Sequence, residues 1–250
     1  DVNISVQGSQ TFGENGDEIA FGGTTSFIDL TVNTGVNVDF EDTALTGANA
    51  LNTITANAQD DVNSSVNLQT VGSLSLTAAD NVDAAGQNLT AAGTLAVTAG
   101  DDAQVNDLDG RGVTVQAADN FTVNSITAGG QDVNVASQDM LASAADLTIS
   151  NADDVTLAVT DNITVNNGNL AINTSITGDI DASTADTIGV AAGNVTIQTT
   201  GNSINYGGAD VTGNSIAITA ANGAITQNAN GSLAVNADGG DVTLSQNANL

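Results

Sequence analysis

Positive charge is almost absent from this sequence. One basic residue, Arg111, stands against 29 Asp and Glu residues, and the formal net charge is −28. Nucleic-acid binding depends on Lys and Arg side chains that neutralise phosphates. An anionic membrane surface repels a strongly acidic chain for the same electrostatic reason. We therefore expect no nucleic-acid partner and no attraction to anionic lipid.

Several chemically active residue types are also missing. The 250 residues include no His, Cys, Pro or Trp, and aromatic residues make up only 2% of the chain. Without His there is no His-based triad and no ordinary side chain that titrates near neutral pH. Without Cys there is neither a disulfide framework nor a thiolate metal site. These absences argue that the protein is not an enzyme.

Long apolar runs are lacking too. No stretch of 18 or more apolar residues occurs, so we expect no membrane insertion. The N-terminal sequence DVNI has neither the basic region nor the apolar region of a signal peptide, and it has no starting Met. We interpret the chain as cut or processed from something longer.

What the sequence does contain is aliphatic. Hydrophobic residues reach 40% of the chain. Leu, Ile, Val and Phe together make up about a quarter, above the roughly 20% that marks disordered chains. Because aromatic residues are so few, a core built from this composition must consist of thin aliphatic layers.

Alternating pairs of aliphatic residues recur about every 20 residues. The steps between first members vary moderately, apart from the step from Val155 to Val195, which is about twice as long and which we interpret as two turns. Ile54 with Ala56 fits the same series. The pairs are Leu74/Leu76, Leu95/Val97, Val113/Val115, Val133/Val135, Val155/Leu157, Val195/Ile197, Ile216/Ile218 and Leu233/Val235.

A second column lies six residues after each first aliphatic position. Every member is Asp, Asn or Gly, the residues that tolerate turn and left-handed conformations. A constant spacing of six within repeats of variable length predicts a strand followed by a fixed corner. The column consists of Asp60, Asp80, Asp101, Asp119, Asp139, Asp161, Gly201, Asn222 and Gly239.

These patterns predict an all-β fold, a parallel β-helix (β-solenoid) with about 20 residues and three short strands per coil. Runs this short with a period of two exclude helical solenoids, whose repeats exceed about 30 residues. Coils that stack at the usual inter-strand spacing would form one continuous rod about 60 Å long.

The first 50 residues differ from the rest, since four of the five Phe and all three Glu lie there. We expect atypical coils at 1–50 and regular solenoid repeats at 51–250. An Asn-Gly pair at 15–16 predicts a hairpin, which would form a protruding loop at about 7–26; an ordinary long corner is the alternative. The candidate interaction residues of this loop are Phe12, Glu14, Asp17, Glu18 and Phe21.

Two stretches carry a family resemblance: GSLSLTAADNV at 72–82 and GTLAVTAGDD at 93–102. Both resemble the repeats of filamentous haemagglutinin-type adhesins, very large bacterial surface proteins that are exported by two-partner secretion. The resemblance covers roughly residues 50–250. It implies a right-handed parallel β-helix and an extracellular location on a bacterial cell surface.

Calcium is the one cofactor that the composition leaves open, because hard oxygen ligands are abundant. The repeats lack the Gly-Gly-x-Gly-x-Asp pattern of calcium-binding β-rolls. We favour solvated corner carboxylates without a cofactor, and calcium binding is the alternative. The candidate calcium ligands are the corner residues Asp60, Asp80, Asp101, Asp119, Asp139 and Asp161.

Three functions remain open at this point. The first is a structural or adhesive module in the rod of a large extracellular adhesin. The second is a subunit of an extracellular filament or surface layer that assembles end to end. The third, a carbohydrate-active β-helix enzyme, is disfavoured because glycosidases need a suitably spaced carboxylate pair, sugar clefts use aromatic platforms, and Tyr206 is the only Tyr.

Both ends of the sequence stop within the repeat pattern. An uncapped solenoid end is an open β edge that invites a partner. We therefore expect each end to pair with further β-structure, from the same chain or from a neighbouring subunit. The sequence names no surface receptor and no polysaccharide ligand.

Overall fold

The computed structural model describes residues 2–6, 10–12, 28–41, 50–142, 146–174, 179–191, 193–199, 203–207, 209–220, 224–226, 235–237 and 242–246. These residues form strands, bends and turns, and no helix occurs among them. The described part of the chain accordingly holds no helix that could cross a membrane. The predicted all-β class is confirmed.

The described residues include twenty-seven strands, most of them short. They are β1 (Val2–Val6), β2 (Gln10–Phe12), β3 (Asp29–Thr34), β4 (Val38–Phe40), β5 (Thr53–Ala58), β6 (Val62–Ser64), β7 (Leu68–Thr70), β8 (Leu74–Ala78), β9 (Val82–Ala91), β10 (Leu95–Ala99), β11 (Ala103–Asp109), β12 (Val113–Ala117), β13 (Asn120–Thr122), β14 (Ser125–Ser137), β15 (Asp139–Ala142), β16 (Leu147–Val159), β17 (Asn162–Val165), β18 (Leu170–Thr174), β19 (Ile180–Asp181), β20 (Thr187–Val190), β21 (Val195–Thr199), β22 (Ile204–Asn205), β23 (Asp210–Gly213), β24 (Ile216–Ala220), β25 (Ile225–Thr226), β26 (Val235–Ala237) and β27 (Val242–Gln246).

Successive turns of the chain stack in parallel, residue on residue. Leu30 pairs with Ile54, Ile54 with Leu74, Leu74 with Leu95, and Leu95 with Val113. The turn length therefore varies along the stack, and the turn from Leu95 to Val113 is the shortest of these four. Parallel strands that are joined by corners and stacked in this way form a parallel β-solenoid, as the sequence predicts.

The chain divides by its contacts into two compact units, Asp1–Asp119 and Asn120–Leu250. Within each unit one turn of the chain crosses three sheet faces, which confirms three short strands per coil. The division of the sequence at residue 50 stays a prediction, as does the handedness of the coil.

We number the faces of the first unit in the order in which the chain crosses them, and those of the second unit so that β13 lies on face 2. In the first unit, face 1 holds β1, β3, β5, β8, β10 and β12; face 2 holds β2, β4, β6 and the first halves of β9 and β11; face 3 holds β7 and the second halves of β9 and β11. In the second unit, face 1 holds the second halves of β14 and β16 with β19, β22 and β25; face 2 holds β13, β15, β17, β20, β23 and β26; face 3 holds the first halves of β14 and β16 with β18, β21, β24 and β27.

The core lies inside the coil and is almost entirely aliphatic. Along β8, for example, Leu74, Leu76 and Ala78 are buried, while Ser75 and Thr77 between them are partly exposed. Full burial of one large aliphatic side chain contributes roughly 1.5–3 kcal/mol. Because most of the strands whose burial is described repeat this inward alternation, the stacked layers supply the thin core that the composition requires.

The aliphatic column predicted from the sequence does not follow a single face. Leu74, Leu95 and Val113 share face 1 of the first unit, and Val133 and Val155 share face 1 of the second. The later members leave that face: Val195 and Ile216 lie on face 3, and Val235 lies on face 2. Leu233 falls outside the described residues.

The interpretation of the step from Val155 to Val195 as two turns is therefore wrong. After Val155, face 1 returns at Ile180 and then at Ile204, and both of these turns are longer than the turn from Leu74 to Leu95. Because the turns lengthen here, a residue spacing counted from the first unit ends on a neighbouring face. All three faces have the same alternating aliphatic pattern, so the slip is invisible in the sequence.

Close backbone contact between turns requires glycine at one corner of the second unit. A Cβ atom added at Gly193 would overlap the backbone carbonyl oxygen of Gly168 in the preceding turn. At Gly189, by contrast, the nearest atom to an added Cβ is the Thr212 Oγ1 at 3.2 Å, and a side chain can rotate away. Gly193 is thus a position at which added volume must push two turns apart.

We expect Gly193→Ala to lower the free energy of unfolding by about 1–3 kcal/mol, the usual range for overpacking. Gly189→Ala is the matched control, and its effect should be within about 1 kcal/mol. Urea unfolding followed by the fluorescence of Tyr206, the only Tyr in a chain without Trp, reports on this unit. Equal effects of the two substitutions would contradict the close stacking at Gly193.

Candidate functional site

Four of the predicted corner residues stack on one another in the first unit, where the chain passes from face 1 to face 2. The Asp80 N–H donates to the Asp60 carbonyl at 3.1 Å, the Asp101 N–H to the Asp80 carbonyl at 3.0 Å, and the Asp119 N–H to the Asp101 carbonyl at 3.1 Å. The backbone therefore places these four Asp residues at the same point of consecutive turns.

Two further carboxylates lie at this corner, because Asp61 follows Asp60 and Asp102 follows Asp101 in the sequence. Asp61 and Asp102 immediately precede the first inward residues of their strands, Val62 and Ala103. One carboxylate oxygen from each of Asp60, Asp61 and Asp80 lies within 4.8 Å of the other two. One oxygen from each of Asp101, Asp102 and Asp119 is placed in the same way. We call these six residues, Asp60, Asp61, Asp80, Asp101, Asp102 and Asp119, the acidic corner.

Each group of three carboxylates could hold a metal ion. Calcium takes six to eight oxygen ligands, including carboxylates and water, so three side chains would supply part of its shell. Asp60 and Asp101 are exposed and the other four residues are half-buried. Exposed carboxylates of this kind are also stable as solvated groups when salt screens them.

The negative charges of the acidic corner affect one another. The pKa of the Asp80 carboxyl group is raised above its ordinary value, with partial loss of water as the largest cause and neighbouring carboxylates as the next. Asp29 shows the opposite behaviour. Its pKa is lowered because its carboxylate accepts hydrogen bonds from the Thr53 hydroxyl at 2.8 Å and the Asn52 amide at 2.7 Å.

Asp139 and Asp161, the other two predicted corner residues, belong to the second unit and do not stack on each other. The Asp161 N–H donates to the Gln138 carbonyl at 2.9 Å, and Asp139 lies beside Asn162. The corner before Asn162 is one residue longer than the corner before Asp139, because Ser137 pairs with Val159 while Met140 pairs with Ile163. A fixed spacing of six residues therefore selects Asp161, whereas the residue that stacks on Asp139 is Asn162.

The corners also contain an arrangement that the predicted column, six residues after each first aliphatic position, does not reveal. In the second unit the Asn194 N–H donates to the Asn169 Oδ1 at 3.0 Å, and the Asn169 N–H donates to the Asp146 Oδ1 at 2.7 Å. The carbonyl of Asn194 meanwhile accepts from the Leu170 N–H at 2.9 Å. Both backbone groups of this corner residue are thus paired with the preceding turn.

We call such a column, in which an Asp or Asn side chain accepts the corner amide of the next turn, an Asx ladder. Further ladders contain the same bond: Asp154 N–H to Asp132 Oδ1 at 3.3 Å, Asp179 N–H to Asp154 Oδ1 at 2.7 Å, Asn81 N–H to Asp61 Oδ1 at 3.0 Å, Asp102 N–H to Asn81 Oδ1 at 3.2 Å and Asn162 N–H to Asp139 Oδ1 at 3.0 Å. The sequence signal is an Asp or Asn directly before the first inward residue of a strand, as at 61–62 and 169–170, or of the second half of a long strand, as at 154–155.

The predicted interaction loop lies almost wholly outside the described residues. Phe12 is the last residue of β2, which pairs in parallel with β4, so that Phe12 lies beside Phe40. Glu14, Asp17, Glu18 and Phe21 fall outside the described part of the chain, and their role stays a prediction.

An open polar groove of about 410 Å³ lies on face 2 of the first unit. Two of its three carboxylates already serve the fold: the Asp39 Oδ1 accepts from the Asn63 amide at 2.8 Å, and the Asp83 Oδ1 accepts from the Ala85 N–H at 3.0 Å. Its aromatic ring, that of Phe40, is only 1% exposed and cannot stack on a ligand. The groove is lined by Asp39, Phe40, Glu41, Asn63, Ser64, Ser65, Asp83, Ala85 and Gln87.

Comparison with known proteins identified no relative of this chain. No protein-family model matches the sequence, and searches of the curated proteins and of the solved structures gave no significant match.

The raised pKa of Asp80 predicts how stability responds to pH. The folded state binds a proton at Asp80 more readily than the unfolded state does, so the free energy of unfolding should increase as the pH falls from neutral towards that pKa. Asp29 acts in the opposite direction, but only as the pH falls through its lowered pKa. We therefore expect a higher melting temperature at pH 4.5 than at pH 7.5, measured by circular dichroism at constant ionic strength.

The variant Asp80→Asn separates the acidic corner from general charge effects. It should melt at a higher temperature than the unmodified protein at pH 7.5, with a smaller difference between the two pH values. Asp109→Asn, an exposed position of the same unit outside the acidic corner, removes the same charge and should have a smaller effect. An Asp80→Asn protein no more stable than Asp109→Asn at pH 7.5 would show that repulsion at the corner is unimportant.

Proposed function

We propose that this chain is a structural repeat module in the rod of a large extracellular adhesin on a bacterial surface. The observation that carries the proposal is the stacking within each of the two units, in which successive described turns pair through parallel strands. Repeat proteins of this kind are quasi-one-dimensional, and length is the property that added repeats change. The resemblance of the segments at 72–82 and 93–102 to haemagglutinin-type repeats supports the adhesin class.

The charge of the chain suits a spacer exposed to water. A net charge of −28 keeps molecules of this chain apart and soluble. The described corners use Asp and Asn side chains as acceptors for backbone amides. This role adds negative charge and requires no Lys or Arg. Our proposal includes no nucleic-acid partner and no insertion into a membrane.

Catalysis is not part of the proposed function. In the groove on face 2, Asp39 and Asp83 bind the protein's own donors at 2.8 and 3.0 Å. A glycosidase needs two carboxylates that face the substrate bond, and a sugar cleft commonly uses exposed aromatic platforms. The described residues of the groove provide no exposed ring.

For the acidic corner we propose general screening by salt cations, without a stoichiometric calcium ion. The exposure of Asp60 and Asp101 supports this proposal, because mobile ions reach such carboxylates directly. Calcium held by the two groups of three carboxylates is the alternative.

Melting curves at pH 7.5 with a calcium chelator and with added calcium, at equal ionic strength, distinguish the two. We expect equal melting temperatures, because screening depends on ionic strength and not on one kind of ion. The control is a variant that carries Asp60→Asn and Asp101→Asn, one substitution in each group of three. A chelator-induced drop in the unmodified protein that this variant lacks would establish calcium binding and overturn the screening proposal.

Electron microscopy of the native material, labelled with an antibody against this chain, tests the adhesin proposal. We expect label along fibres that are anchored to cells. Uniform polymers with a fixed subunit repeat would favour the alternative, an extracellular filament or surface layer, and label confined to the cell interior would overturn both. Antibody that has been absorbed with the purified chain is the control for non-specific label.

A further inference from the structure

We draw no further inference here: the strongest candidate, the acidic corner of six Asp residues in the first unit, belongs to the site already described, and no buried unpartnered side chain among the described residues is shown to point into it as an independent sign of a ligand.

Discussion

At each laddered corner, a side-chain oxygen of Asp or Asn accepts the backbone N–H of the residue stacked on it in the next turn. Strand pairing uses the carbonyl of that residue, as the bond from the Leu170 N–H to the Asn194 carbonyl shows. It leaves the amide without a strand partner, and a hydrogen bond to a side chain contributes about 0.5–1.5 kcal/mol there. The Asn169 side chain supplies the missing acceptor at 3.0 Å. Repeated at these corners, the bond satisfies amides that strand pairing does not use, and it adds to the parallel stacking of the turns.

The acidity of the chain follows in part from the same constraint. Asp and Asn provide a short acceptor at the right distance from the backbone, and the sequence uses both. Where they alternate, as in Asp61, Asn81 and Asp102, a neutral amide separates two carboxylates along the column. The neighbouring column of Asp60, Asp80, Asp101 and Asp119 has no such separation. The pKa of Asp80 is raised there, first by partial loss of water and then by the neighbouring carboxylates. Stacking therefore both requires corner oxygens and generates the repulsion that salt or protons relieve.

Much of the fold could be predicted from the sequence because the solenoid is built from local rules. Period-two aliphatic pairs and Asp, Asn or Gly corners were sufficient for parallel strands, three faces per coil and the stack of four Asp residues in the first unit. The path of individual faces could not be predicted. Val195 lies on a different face from Val155, and Asp139 lies beside Asn162, because turn and corner lengths vary while the aliphatic pattern does not. Asp61 and Asp102 were missed since spacing was counted from the preceding strand and not from the following one.

Amide hydrogen exchange at single residues tests the central claim, that side-chain oxygens hold the corners of successive turns together. In the unmodified protein the Asn194 and Asp179 amides, which donate to Asn169 and Asp154, should be protected from exchange. In Asn169→Ala the Asn194 amide should exchange roughly threefold to tenfold faster, as expected for the loss of one hydrogen bond, while the Asp179 amide should keep its protection. An Asn194 amide that is equally protected with and without the Asn169 side chain would contradict the account.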